Sequence, residues 1–453
     1  MWSIQEQLDR LTPAEIVGCV AHSVGLTVAA AGFPAPIGAL AEIERPHGGP
    51  LAAEVIGFRD DLTLLYPLSD LSGVRRGQRV RLKRTSRWLR VGPALLGRVI
   101  DPTGTTVDGG LHPALPDRVP LDRRPPHACD RPRITEPLAT GVRAIDGLLT
   151  CGLGQRMGIF AGSGIGKSVL LGMMARNTSA DVNVIALIGE RGRELNEFLH
   201  RDLGAEGMAR SVVVVATSDE PALLRVQAAW AATAVAEYFR DQGKNVLLMM
   251  DSLTRFALAQ REIGLAAGEP PTTRGFPPSV FALLPRLVER AGRGPKGSIT
   301  AFYSVLVEAD DPNEPIADCV RGLLDGHTWL SRKLGSKGHY PAIDVLESLS
   351  RLMHDVVSSE HRAAAAAMRE LLAAYRDHED LISIGAYRRG ANPTVDAAIE
   401  QLPEIQRLLR QAMDEPAAFA QTCDRLIGWH QALRAPSAAG KPNNTNPAAR
   451  SPG

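Results

Sequence analysis

Four continuous apolar stretches organise the middle of the chain, at residues 182–188, 212–215, 246–250 and 299–307. Each has the length of a buried strand, and the segments between them carry the three- and four-residue apolar spacing of helices. Apolar strands alternating with amphipathic helices predict a parallel sheet covered on both faces. Between Val20 and Leu95 the pattern shifts to short β-prone runs broken by Gly, Pro and Asp, such as residues 24–28, 53–58 and 62–66. That spacing predicts a small barrel. Beyond about residue 355 only helical patterns occur, including an Ala-rich stretch at 361–375 and a second segment at 395–413. At the start, Trp2, Ile4, Leu8 and Leu11 stand near helical spacing, which predicts a short amphipathic helix, either a docking element for a partner or a frayed terminus. A Pro- and Arg-rich linker lies at 121–126, and the Pro- and Asn-rich end is expected to be disordered. The division read from these patterns is 1–18, a partner-binding segment; 19–95, a barrel; 96–355, the α/β core; 356–433, a helical domain; and 434–453, a tail.

At 453 residues the chain has room for two or three domains. A net charge of +1 gives no whole-molecule attraction to nucleic acid or to an anionic membrane. Cys19, Cys129, Cys151, Cys319 and Cys423 are odd in number and lack metal-ligand spacing, so free thiols of a reducing compartment are expected. Residues 1–6 lack the basic and apolar regions of a signal peptide, and no apolar run is long enough to span a bilayer. A cytoplasmic location is expected, with membrane association only through partners.

The chemistry concentrates at Ala161, Gly162, Ser163, Gly164, Ile165, Gly166, Lys167 and Ser168, between a β-rich run from Arg156 to Phe160 and a helix-forming run from Val169. Glycines let backbone N–H groups turn inward around phosphates at the positive end of the following helix. Lys167 would reach the phosphates and the Ser168 hydroxyl would ligate Mg²⁺, so the chain is expected to bind a nucleoside triphosphate. The strict pattern begins with Gly where this chain has Ala161. Asp251 ends the apolar run 246–250, where an acid holds Mg²⁺ in phosphoryl-transfer sites. Glu190, expected at the carboxyl end of a strand adjacent to the loop, is placed to orient water behind the γ-phosphate.

Taken together these segments resemble one family. Residues 161–168, Gly189 to Glu194, Asp251-Ser252-Leu253-Thr254-Arg255-Phe256, Gly275-Phe276-Pro277-Pro278, Ala309-Asp310-Asp311-Pro312 and Leu349-Ser350-Arg351 occur in the order found in rotary-type ATPases. That family includes the F1 catalytic subunit and the protein-export ATPases, and the likeness runs from about residue 20 to 433. It implies a RecA-like phosphate-loop core with a parallel sheet, a small amino-terminal β-barrel and a carboxy-terminal helical domain. It further implies that Glu190 activates the attacking water, that Arg191 lies near the γ-phosphate and that Glu194 supports the metal and water shell. Arg351 matches an arginine finger acting on nucleotide held by a neighbouring subunit. At the base site the family places an aromatic ring just after a Glu-His pair, and here Glu360-His361 is followed by Arg362.

In F1 the water-activating site and the finger belong to different subunit types. Here Glu190 and Arg351 share one chain, so identical copies could complete each other's sites in a ring. The stretch Leu381-Ile382-Ser383-Ile384-Gly385-Ala386-Tyr387-Arg388-Arg389-Gly390 replaces the acidic rotor-contacting loop of F1 and resembles flagellar and type III export ATPases. The resemblance therefore implies a homohexameric ATPase, peripheral at an export gate, that uses ATP and Mg²⁺ to energise export of flagellar components. Implied partners are a stator-like regulator, a central stalk protein and export chaperones. The alternatives are a virulence injectisome ATPase, or the catalytic subunit of an F-type or V-type synthase. A ring helicase is disfavoured because the amino-terminal strands lack the aromatic and basic interleaving of single-strand binders. A catalytically silent subunit is disfavoured by Glu190.

Overall fold

The computed structural model describes residues 15–162, 164–307, 311 and 314–434. The expected helix of the first residues, Ser163, most of the segment 309–312 and the tail from 435 lie outside these. Six strands close a barrel: β1 (Val17–Val24), β2 (Thr27–Ala31), β3 (Leu40–Ile43), β4 (Leu51–Arg59), β5 (Leu62–Pro67) and β6 (Arg79–Arg84), in the order β1-β2-β5-β4-β3-β6. Small inward residues such as Ala30, Ala41 and Ala53 pack with Val28, Val55 and Leu65, as a narrow lumen requires.

Two expectations are corrected here. Residues 24–28, read as one strand, hold the turn between β1 and β2: Gly25 takes φ 57° and reverses the chain, so Val24 pairs with Thr27. Val17 and Gly18, read as the end of the amino-terminal helix, already belong to β1. Gly18 lies so close to β2 that a Cβ there would stand 2.6 Å from Phe33 Cβ, a close approach that needs glycine.

The core sheet contains β7 (Arg98–Ile100), β8 (Arg156–Ala161), β9 (Val182–Glu190), β10 (Ser211–Thr217), β11 (Asn245–Asp251), β12 (Ser298–Leu306), β13 (Gly326–Leu330) and β14 (Ile343–Ser350). Their order is β14-β13-β8-β12-β11-β9-β10-β7, parallel throughout except for the antiparallel β13–β14 pair. The two-sided burial is plain in β9: Val184, Ala186 and Ile188 enter one apolar cluster, and Ile185 and Leu187 the other. Asn183 interrupts that apolar run because its amide donates to Ala175 O at 2.8 Å and anchors a covering helix.

That helix is α1 (Lys167–Asn177); α2 (Gly192–Glu197), α3 (Ala222–Asp241) and α4 (Leu253–Ala267) follow it on the sheet. The segment 121–126, expected as a linker, is pinned to the core: Arg290 donates to Leu121 O at 2.6 Å, and Arg290 is itself buried against Glu237. Helices α5 (Ser359–Ser383), α6 (Pro393–Leu409) and α7 (Phe419–Arg434) form the carboxy-terminal layer. The segment expected as helix to residue 413 leaves α6 at Leu409. Gln411 is drawn away instead: its N–H donates to Tyr340 O at 2.9 Å and its amide to Gly141 O at 2.8 Å. Among the described residues no helix is long and apolar enough to cross a membrane.

Candidate functional site

The glycine loop connects β8 to α1. Gly164 and Gly166 take φ 79° and 91°, left-handed conformations that open the loop and that side chains resist. Ala161 needs no such freedom: it is the last residue of β8, paired with Leu306 and Leu330, and its methyl is buried in the core. Ile165 is buried beneath the loop, while Gly162 is buried and Ser168 is exposed at the first turn of α1.

Lys167 turns from the start of α1 toward two strand ends. Its ammonium pairs with Asp251 Oδ1 at the end of β11 and stands 3.9 Å from Glu190 Oε1 at the end of β9. Asp251 is buried and also accepts the Ser304 hydroxyl of β12 at 2.7 Å. Glu190 is not on a strand next to the loop's own, as the sequence suggested. β12 and β11 lie between β8 and β9, and the length of the Lys167 side chain spans the difference. Arg255, in the first turn of α4, donates to Gly189 O and stands 3.3 Å from Glu190 Oε2.

Burial, then the Asp251 charge and the Glu194 hydrogen bond, push the Glu190 carboxyl up to about 7, against the pull of Lys167 and Arg255. Glu194, on the exposed first turn of α2, is correspondingly held low, chiefly by its hydrogen bond with Glu190. Arg191 is largely exposed and pairs only loosely with Glu194, at 3.4 Å, so it is near the cluster without touching Lys167 or Asp251.

A raised folded value means that folded Glu190 holds its proton more tightly than the unfolded chain between about pH 4.5 and 7. That contribution is present below pH 4.5 and is lost as pH rises through 7. The nucleotide-free Glu190→Gln protein, which cannot ionise there, is therefore expected to melt about 2–4 °C above its parent at pH 8. The gap should close near pH 5, as scanning calorimetry at the two pH values would read; an equal or lower melting temperature at pH 8 would contradict the repulsion.

Arg351 lies elsewhere. Its N–H donates to Asp325 O at 3.0 Å, and Asp325 N–H to Arg156 O at 2.9 Å, which sets it beside the first residue of β8. The loop begins only after Ala161, five residues on, or about 16 Å along the strand. In one chain Arg351 and the glycine loop therefore occupy opposite ends of the sheet.

Beside the loop the structure opens a hollow of about 290 Å³, lined by Ile165, Val169, Met173, Tyr340, Pro341 and Met413 among others. Tyr340 stands over the loop, 3.9 Å from where a Cβ on Gly166 would be. Arg362, the residue at the expected base position, does not line this hollow; it sits exposed on α5, where His361 turns inward to Gly147 O at 2.7 Å. Tyr340, Arg255 and Ser304 are the site residues that sequence reasoning missed. The signals were slight: a Tyr-Pro pair, an arginine within the 251–256 motif, and one hydroxyl within an apolar strand.

For a metal, the donors present are the Ser168 hydroxyl and the Asp251 and Glu194 carboxylates, all hard oxygens suited to Mg²⁺. Among the described residues no cluster of three or more His, Cys, Asp or Glu could hold an ion unaided.

A glycine loop of phosphate-binding pattern, a lysine at the helix start and a half-buried carboxyl with a value near neutrality suit phosphoanhydride hydrolysis. Fold and site together define a phosphate-loop ATPase of the rotary ATP synthase type. Comparison with known proteins makes this specific. Residues 141–350 match the ATP synthase alpha/beta family, nucleotide-binding domain, and residues 357–428 the T3SS EscN ATPase C-terminal domain. The flagellum-specific ATP synthase of Bacillus subtilis is 53% identical over 89% of this chain and 93% of its own. The type 3 secretion system ATPase of Xanthomonas euvesicatoria is 52% identical over 94% and 96%. The assembled ATPase EscN of enteropathogenic E. coli superposes with a TM-score of 0.87 at 50% identity, covering 91% of this chain and 99% of that one. The chain belongs to the family of flagellum-specific and type 3 secretion ATPases, and its reaction is the hydrolysis of ATP.

Proposed function

We propose that the chain is the homohexameric motor of a type III export apparatus, serving flagellar components and releasing them from chaperones. The observation that carries this reading is likeness of about one half in sequence through barrel, core and helical layer together. In the proposed reaction, backbone N–H groups of Gly162, Ser163, Gly164, Ile165 and Gly166 cradle the ATP phosphates, with Lys167 as their counter-charge. Ser168 and Asp251 would hold Mg²⁺, with Glu194 supporting them, and the cation would supply charge neutralisation to the phosphates. Glu190 accepts a proton from the attacking water, and Arg191 lies toward the γ-phosphate. Arg351 of a second copy completes the site, since the opposite ends of the sheet keep a chain's own Arg351 from its loop.

The hollow beside Gly166 is proposed as the seat of the base, with Tyr340 stacked on it. Stacking of this kind is worth about 1–3 kcal/mol, so Tyr340→Ala is expected to raise the KM for ATP about tenfold with kcat little changed. Steady-state kinetics against ATP concentration checks this, and an unchanged KM would remove Tyr340 from the site.

The solved complex of EscN with its central stalk EscO supports a stalk partner for this chain. A stator-like regulator on residues 1–18, export chaperones and a cytoplasmic position peripheral to the export gate complete the proposal. Hydrolysis per chain, measured over a range of protein concentrations, should rise as rings form; activity independent of concentration would sink the shared site. An injectisome role is the second reading, favoured by the EscN likeness. Deletion in the native cell separates the two: loss of filaments supports the flagellar role, and intact motility with lost effector secretion supports the injectisome.

A further inference from the structure

Helix α4, with Arg225 of α3 beside it, ties the hydrolytic cluster to the amino-terminal barrel. Ser252 caps α4, its hydroxyl accepting the Arg255 N–H at 3.3 Å, and Arg255 is the residue that holds Gly189 O and Glu190. Glu262 follows seven residues later, two turns along on the same face. One Glu262 oxygen accepts the hydroxyl of Tyr66, on barrel strand β5, at 2.9 Å; the other accepts Arg225 of α3, also at 2.9 Å. The Arg225 stem runs back over the strand end that bears Glu190. A Cβ built on Gly189 would stand 3.6 Å from Arg225 Cδ and 3.1 Å from Arg255 Cδ. The barrel touches the far end of α4 as well. There the guanidinium of Arg59, at the end of β4, lies over Gly268, the left-handed cap of α4, 2.5 Å from where a Cβ would be. A cation at that end complements the helix dipole.

Both ends of α4 are thus fixed by groups with different owners: the catalytic strand at the start, the barrel in the middle and at the cap. A shift of the barrel on the core would reach Arg255, because a helix moves nearly as a rigid rod and its side chains keep their spacing. Another polar tie across the same interface, Gln227 Nε2 to Glu54 Oε2 at 2.6 Å with Arg87 at 3.2 Å, runs to Arg87 rather than to Glu190.

We propose that Tyr66, Glu262 and Arg225 are positioning residues for the hydrolytic carboxylate, so that the seating of the barrel on the core sets the rate of ATP hydrolysis. The inference rests on the reading of Glu190 as the group that acts on water. Misplacement of a catalytic group by about 1 Å costs up to about a hundredfold in rate. Loss of one hydrogen bond remote from the reaction is expected to cost less, about 5–20-fold.

The test compares full-length variants by kcat, KM for ATP and melting temperature. Tyr66→Phe and Glu262→Ala should lower kcat about 5–20-fold with KM within about twofold of the parent. Glu262→Gln, which keeps an acceptor for Tyr66, should fall between Glu262→Ala and the parent. Gln227→Leu, which cuts the Glu54 tie alone, should melt lower while keeping the parental kcat. Parental kcat in both Tyr66→Phe and Glu262→Ala overturns the proposal. So does an equal loss of kcat in Gln227→Leu, or a change confined to KM. Glu190→Gln is run beside them: if it retains full activity, the reading of Glu190 has failed and the positioning role goes with it. If Glu190→Gln is inactive while Tyr66→Phe and Glu262→Ala are normal, only the positioning role fails.

Discussion

Glu190→Gln is expected to lower kcat by about 10²–10⁴-fold while nucleotide affinity stays close to that of the parent. Gln keeps the shape of the side chain and an oxygen for Arg255, so the loop and strand ends have no reason to rearrange. What it loses is the ability to take a proton. A general base works best when its own value lies near the working pH, and burial beside Asp251 and Glu194 brings Glu190 to about 7. Ordinary carboxyl acidity would leave it a weak base; full repulsion without Lys167 and Arg255 would leave it protonated. The paired cations hold it between these limits. Single-turnover hydrolysis, beside equilibrium binding of ATP, reads the two effects separately. A variant that binds poorly but turns over normally would reassign Glu190 to nucleotide binding.

Arg351→Ala is expected to lower kcat by about 10³–10⁵-fold, the size typical of an arginine that neutralises charge in the transition state of phosphoryl transfer. The variant should still bind ATP, since in its own chain Arg351 stands beside the first residue of β8 and away from the loop. Its backbone N–H bond to Asp325 survives the substitution, so the fold should be retained. Hydrolysis measured together with particle mass separates two outcomes. Lost activity in intact rings supports a finger, whereas lost activity with dissociated chains would make Arg351 an assembly residue.

How much of this could be read from the sequence depended on whether a feature is local. The four apolar runs became β9, β10, β11 and β12 because strands buried on both faces have no polar alternation to hide them. β7, only three residues long, carries no such signal and joins the sheet through β10. The turn at Gly25 was missed because Val24, Leu26, Thr27 and Val28 on either side of it are all β-prone, as in one continuous strand. In the site, the glycine loop was legible since its chemistry is contiguous. Asp251 and Glu190 were legible only once that loop gave the strand ends a purpose. Tyr340 was not, because its place over Gly166 depends on Gln411 fixing the Tyr340 carbonyl from the far side of the chain. Arg255 and Ser304 likewise act through partners far away in sequence, and no spacing rule reports that.

The separation of Arg351 from the glycine loop also has a genetic meaning. If Arg351 acts on a neighbour's nucleotide, each subunit is a donor on one flank and a recipient on the other, and the two roles are expected to fail independently. On that reading a Glu190→Gln chain should remain a competent donor, and an Arg351→Ala chain a competent recipient. Two inactive populations mixed before assembly should therefore complement each other. At equal proportions and random order, about a quarter of the junctions would bring a working recipient against a working donor. Neither defect would behave as a simple recessive in a cell that carries both.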